Sequence, residues 1–292
     1  MSSKSASDHD SQSDEDSVPL QQLAEWPITG VGLHPGGSNY VFVVRLTDPV
    51  KYPELLDQNA SSSASTPETS DTPEQDEEVP GKIDESASIY AIYKPQSGER
   101  PLRDFPGGTL HNRERAAYLV SRELGWPNIP PTVIRAGPHG EGSVQLFIDA
   151  APVQDNRELE NYFSLRDKRL EDFHDMAMFD ALVHNADRKG GSCIVSDDRK
   201  LWAIDHGLTF NQFARRRTVM FEFNGTEYPP NLLNDVEVLV NALESESKLS
   251  AELKQLISQP EVEDVVTRAK EMIELGHYPY LDPDANVPWP MV

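Results

Sequence analysis

The sequence predicts an α+β fold in two lobes, an antiparallel-sheet N-lobe followed by a mainly helical C-lobe. Three observations carry this. Up to Ile148 the ordered stretches are short β-branched and aromatic runs separated by Gly- and Pro-rich turns. Beyond Ile148 apolar residues recur at helical spacing. Between Phe173 and Phe210 a helix, a polar loop and a small hairpin follow one another, and each loop carries an aspartate. The expected division is a disordered acidic tail over 1–18, an N-lobe over 19–150 with a disordered acidic insert at 51–87, and a C-lobe over 151–292.

Charge is concentrated in two tracts. The formal net charge is −23. Residues 1–18 hold five acidic residues against one lysine, and residues 51–87 hold ten against two, so these tracts supply about half of it. Such a balance argues against a nucleic-acid partner, which needs a basic face. Both tracts are too poor in apolar residues to offset the entropy of ordering, hence the expectation of disorder. No run of about 18 apolar residues is present, and the first twenty residues lack the basic start and apolar core of a signal peptide. A soluble cytoplasmic protein without a transmembrane segment is expected. The single cysteine, Cys193, sits in an apolar run and is expected in the core.

The elements follow in order. Ile28–Gly32 reads as a short strand, 34–39 as a turn with Gly36, Gly37 and Ser38 at its tip, and Tyr40–Leu46 as a clear strand. A Gly-rich turn between strands lets backbone N–H groups approach phosphates, although most such hairpins are only hairpins. No G-x-x-x-x-G-K-[ST] occurs, which excludes a P-loop. Ser88–Pro95 is the next strand, and Lys94 shares a face with Ile92. Thr109 to Leu124 reads as a helix, with Thr109 as N-cap and Gly125 as stop. Glu114 falls in its apolar stripe. A lysine on the inner face of a strand is costly unless an anion meets it, so Lys94 and Glu114 are natural partners; the alternative is that both snorkel to solvent.

Thr132–Arg135 and Ser143–Ile148 form another strand pair, and the lobe boundary is expected near Asp149 to Pro152 with a ligand crevice beside it. The helix of Phe173–Val183 ends in Asn185-Ala186-Asp187-Arg188-Lys189-Gly190-Gly191, and the hairpin Cys193–Ile204 ends in Asp205. Two loop carboxylates suit phosphoryl transfer, one orienting or deprotonating the attacking hydroxyl and one holding a magnesium ion. Aspartates that merely cap turns would look the same. Further on, Arg215-Arg216-Arg217 suits an anionic group or is a solvated basic run. His174, His184 and His206 match no metal-ligand spacing and are expected to be structural. Leu232–Leu256, with a break around Glu244 to Ser250, and Val262–Leu275 read as C-lobe helices, and the aromatic tail from Tyr278 to Pro290 is expected to dock on them.

The order of these features resembles that of kinases, without V-A-I-K or H-R-D and with Asp205-His206-Gly207 in place of D-F-G. Asp187-Arg188 is similar to the D-R-x-x-x-N loop of phosphatidylinositol 3-/4-kinases and of HipA-type kinases, and Tyr93-Lys94-Pro95 to a strand of type II phosphatidylinositol 4-kinases. The phrases YKPQSGERPLRDFPGGTL, NADRKGG, IDHGLTF and PWP resemble those of a mostly actinobacterial family of phosphatidylinositol 3-/4-kinase-like, HipA-related proteins. The resemblance spans about Pro27 to Pro290 outside the insert. It implies a two-lobed protein-kinase-like fold and an ATP- and Mg²⁺-dependent phosphotransferase with an unidentified lipid, protein or small-molecule acceptor. Lys94 would meet the α/β-phosphates with Glu114 fixing it, and Gly36, Gly37 and Ser38 would cover the phosphates. Asp187, with Arg188 beside it, would form the catalytic loop, and Asp205 and Ser192 would face the metal. Ser192 departs from the pattern, because a hydroxyl is a weaker ligand for a hard cation than an amide or carboxylate oxygen. That leaves a nucleotide-binding pseudokinase, or nucleotidyl transfer on the same fold, as alternatives.

Overall fold

The structure, a computed structural model, describes residues 6–34, 39–55, 84–150 and 159–292, with side chains from residue 16 onward. Gly36, Gly37, Ser38 and most of the insert lie outside the described residues. The N-lobe is a five-stranded antiparallel sheet in the order β1-β2-β3-β5-β4. Its strands are β1 Ile28–Leu33, β2 Phe42–Thr47, β3 Ser88–Pro95, β4 Thr132–Gly137 and β5 Gly140–Leu146. In register, Phe42 faces Tyr93 and Lys94 faces Ser143. Alternation puts Val44, Leu46, Ala91, Tyr93 and Val144 into one apolar layer.

Helix α1, Ala6–Glu25, covers that layer, and it corrects the expectation of a disordered tail over residues 6–18; residues 1–5 lie outside the described residues. Leu23 is fully buried and Leu20 packs beside it. The helix is tied down by Asp16, which accepts from the Tyr118 hydroxyl at 2.8 Å and pairs with Arg122 at 3.2 Å. Arg135 donates from Nη1 to the carbonyls of Leu23 and Trp26, both at 2.9 Å, and so closes the C-terminal end. The anchors are distant in sequence, so composition alone points the wrong way. The two ends of the insert are likewise ordered. Leu55 is buried, and the Asp84 amide donates to the Tyr52 hydroxyl at 2.8 Å, which ties residues 51–55 to 84–87.

Helix α2, Leu110–Leu124, joins the lobes: it touches β4 and β5 on one side and the C-lobe helices on the other. Gly125, at φ 77°, ends it by donating to the Ser121 carbonyl at 2.9 Å. Thr109 precedes the helix but does not cap it with its side chain; its hydroxyl donates to the Pro106 carbonyl instead. The C-lobe contains α3 Tyr162–Arg169, α4 His174–Leu182, the hairpin β6 Cys193–Val195 and β7 Leu201–Ala203, α5 Pro230–Glu244, α6 Lys248–Leu256 and α7 Gln259–Leu275. The expected break after Glu244 is present: the Ser247 hydroxyl accepts from the Ser250 amide and starts α6. Phe173, Phe179, Leu182, Val236, Leu239 and Val265 form the centre of the larger core. Cys193 lies in it, and burial pushes its thiol up to about 11.

Candidate active site

Between the lobes is a crevice of about 950 Å³. Lys94 reaches it from β3, Asp187 from the loop after α4, and Asp205 from the loop after β7. The Lys94 ammonium lies 3.0 Å from Asp205 Oδ1 and is paired with Glu114 Oε1 on α2. Burial opposes its charge, but the carboxylates of Asp205 and Glu114 outweigh that and hold its pKa above the ordinary lysine value. The same ammonium pulls the Asp205 carboxyl down to about 2. Glu114 is buried, and its second oxygen accepts from the His206 amide at 3.0 Å. Gly207 follows at a point where a Cβ would come within 3.3 Å of Glu114 Oε1, so the short residue lets the loop press on the helix. The Asp205 side chain is 56% exposed toward the crevice, and its backbone sits at φ 63°, a left-handed conformation that is strained for a residue with a Cβ.

Asp187 is in a different state. Burial raises its carboxyl above the usual range, and Lys189 and Arg217 only partly counter this. Lys189 Nζ is 3.2 Å from one carboxylate oxygen and Arg217 Nε is 3.5 Å from the other. The Asp187 amide donates to Asn185 Oδ1 at 2.9 Å, an Asx turn that aims the side chain. Ser192 lines the same crevice. One exposed carboxylate with a hydroxyl nearby fits Mg²⁺, which typically binds one or two carboxylates and takes its other ligands from water and substrate phosphates. Among the described residues no group of three His, Cys, Asp or Glu side chains forms a self-sufficient metal cage.

Arg188 corrects the expectation. It is fully buried beneath the loop and does not reach the crevice. Its guanidinium holds both oxygens of Asp180 on α4, at 2.6 and 2.9 Å. It also donates to the carbonyls of Ser192 at 2.7 Å and Ile204 at 3.0 Å, and to His206 Nε2 at 2.9 Å. Burial, with the arginine beside it, pushes His206 well below its ordinary value and keeps it neutral. Arg188 therefore positions both aspartate-bearing loops from below.

Several crevice residues were not singled out in the sequence. Ile92, Gln145, Leu146, Phe147 and Ile148 line its N-lobe wall, and Ile194 and Ile204 line the floor. Apart from Gln145 they are apolar residues in or beside strands, and such residues carry no signal that separates them from core. The C-terminal tail contributes Val287, Trp289, Pro290 and Val292. It docks as expected, but on the side of the crevice formed by the Asp187 loop: Gly190 donates to the Met291 carbonyl at 2.7 Å. A Cβ on Gly190 would come within 2.6 Å of the Phe163 ring, so only glycine fits under this junction. The arginine run divides, with Arg217 lining the crevice and Arg216 lining another cavity. His174 is structural, its Nδ1 lying 3.0 Å from the Tyr278 hydroxyl.

Protein Rv2133c of Mycobacterium tuberculosis is 33% identical to this chain over 232 residues, covering 70% of this chain and 83% of that protein. The chain belongs to the family of Rv2133c. No known family profile matches it. Among solved structures, the Golgi casein kinase superposes with a TM-score of 0.45 at 16% identity, covering 88% of this chain and 74% of that one. Its form with Mn/ADP bound gives 0.45 at 16%, covering 90% and 75%. The Helicobacter pylori proinflammatory kinase CtkA gives 0.48 at 11%, covering 87% and 95%. These likenesses are distant, and the functional reading rests on the geometry of Lys94, Glu114, Asp187 and Asp205. Among the described residues no helix is long and apolar enough to cross a membrane.

Proposed function

We propose that this member of the Rv2133c family is an ATP-dependent phosphotransferase with a protein-kinase-like fold. The observation that carries the reading is one lysine shared between a buried glutamate on a helix and an exposed loop aspartate, with a second aspartate across the same crevice. Lys94 is charged and aimed by Glu114, so it is ready for an anionic ligand such as the α- and β-phosphates. The isoleucine-rich walls give a purine base an apolar slot. Asp205, kept ionised, and Ser192 would hold Mg²⁺, whose charge neutralises the phosphates. Asp187, whose carboxyl is raised above the usual range by burial, is suited to accept the acceptor hydroxyl proton. That proton moves to the carboxylate as the new O–P bond forms and the bond from the γ-phosphorus to the ADP oxygen breaks. Lys189 and Arg217 flank the spot where the acceptor oxygen would lie. Within this class, the D-R-x-x-x-N likeness of the loop favours the phosphatidylinositol 3-/4-kinase-like and HipA-related branch.

One observation favours a second reading, a nucleotide-binding pseudokinase. Ser192 stands where the D-R-x-x-x-N pattern has a metal-binding amide. Calorimetry with Mg²⁺-ATP on the wild type, Asp205→Asn and Lys94→Ala tests the shared part of both readings: binding should be present in the first and lost in the variants. Absence of binding to the folded wild type removes both. Turnover of γ-labelled ATP above the Asp205→Asn background separates kinase from pseudokinase. Transfer of an α-label instead would mark a nucleotidyl transferase.

A further inference from the structure

A second cavity, about 360 Å³, lies between the end of α4, the loop after Asp205 and helix α7. It shares no lining residue with the crevice. Arg216 enters it from the loop and Arg268 from α7, with His184 and Gln212 beside them. Neither guanidinium forms an ion pair among the described residues. Arg268 Nε donates to the Leu182 carbonyl at 2.8 Å, while its Nη2 is buried without a hydrogen-bond partner. Two guanidiniums line this concavity with no carboxylate paired to either among the described residues, and an anion lying between them would offset the cost of their partial burial.

We propose that this cavity binds a small phosphomonoester through Arg216 and Arg268. The planar forks of two arginines match the several oxygens of a phosphate group better than the two of a carboxylate. The volume exceeds that of a bare phosphate, since a water occupies about 30 Å³, and Tyr228 and Met272 supply surface for an organic body. The electrostatics agree. Burial depresses both arginines, Arg216 depresses Arg268 further, and burial with both arginines holds His184 down to about 4. Asp264 and Glu271 also face the cavity and act on Arg268 through space. They lie on its own helix and leave Arg216 without a carboxylate at contact distance. Arg216 adjoins Arg217, which reaches Asp187 at 3.5 Å, so an anion here also fixes the loop that flanks the catalytic carboxylate.

The test uses the full chain carrying Lys94→Ala, which disables the crevice and makes the result independent of the phosphotransfer reading. Calorimetry with glycerol 3-phosphate, inorganic phosphate and acetate should show binding of the first two and none of acetate. A tighter ester than free phosphate identifies an esterified ligand, and equal affinities identify the free anion. Adding Arg268→Gln should weaken binding about tenfold, the loss of one bidentate pair. Gln212→Glu, an exposed change that leaves the fold intact, should weaken it severalfold by repulsion. Hydrogen exchange over residues 211–219 should slow when phosphate is present. The proposal is overturned by no binding of either phosphate, by acetate binding equally well, or by Gln212→Glu leaving the affinity unchanged, and this last variant decides the matter if Arg268→Gln fails to fold.

Discussion

Two charged clusters lie on opposite sides of the same pair of loops. In the lower one, Arg188 is fully buried, and its donors are met by Asp180, two carbonyls and His206. In the upper one, Lys94 and Asp205 are 25% and 56% exposed, and the Asp205 carboxylate opens onto a crevice. The lower cluster is closed, with its hydrogen-bonding capacity used internally. The upper cluster is open, holding charge in reserve for something that is not protein. A saturated buried ion pair contributes to structure, whereas a half-exposed one with a strained backbone is the signature of a site. Adjacent residues, Asp187 and Arg188, fall on the two sides of this division.

The comparison breaks most sharply under substitution. Arg188→Ala should cost about 3–5 kcal/mol, because it leaves the Asp180 carboxylate buried and uncompensated. Urea denaturation is the measurement, and a loss under 1 kcal/mol would show that the lower cluster is not closed. Lys94→Ala should cost only about 1–2 kcal/mol, since the lysine side chain is a quarter exposed and Glu114 keeps its hydrogen bond from the His206 amide. It should nevertheless abolish Mg²⁺-ATP binding in calorimetry. Asp205→Asn should reduce any ATP turnover by about 10²-fold or more, the scale for removing a preorganised charge at the reacting phosphates. If both upper variants unfold the protein while Arg188→Ala does not, the roles of the clusters are reversed.

The same comparison shows what the sequence could reveal. The period-2 alternation of β3 puts Lys94 on the face of Ile92, and the stripe of α2 contains Glu114, so their partnership follows from two local patterns. Asp187 and Asp205 were marked by the turns that carry them. Arg188 was grouped with Asp187 because adjacency in a polar loop says nothing about direction. Its burial depends on Asp180, Ser192 and Ile204, contacts made only once α4 and the hairpin are packed. Asp180 itself, in the apolar second half of α4, carries no local signal of a buried arginine partner. The same limit hid α1, whose order comes from Tyr118, Arg122 and Arg135, about a hundred residues away. The apolar walls of the crevice were hidden for a different reason: a strand isoleucine that meets a ligand has the same local pattern as one that meets the core.

Titration sharpens the contrast within the open cluster. The Asp205 carboxyl is depressed to about 2 by Lys94, so it contributes stability above its unfolded value of 3.8 and loses it as pH falls through about 2. Asp187 has the opposite sign. Its folded value is raised by burial, so its ionisation works against folding once pH rises through that value. Asp187→Asn should therefore raise the melting temperature at pH 7, within about 1 kcal/mol, while removing turnover. The gain should shrink as pH is lowered through the Asp187 titration, because the wild type then carries the neutral group too. A stability loss at pH 7 would mean that Lys189 and Arg217 fully compensate the carboxylate.

The smallest expected effect lies at the rim. Trp289 is 87% exposed yet lines the crevice, on a tail held to the Asp187 loop through Gly190 and Met291. Trp126 is buried, and neither Trp26 nor Trp202 lines the crevice. Trp289→Ala should leave stability within about 0.5 kcal/mol of wild type, as for an exposed side chain with few contacts. The tryptophan emission of the wild type should shift to shorter wavelength when Mg²⁺-ATP fills the crevice and displaces water from the indole, and the shift should be absent in Trp289→Ala. A shift that survives the substitution would place the change at Trp26 or Trp202 and make closure of the lobes its cause. A shift that disappears would make the tail part of the open cluster's boundary.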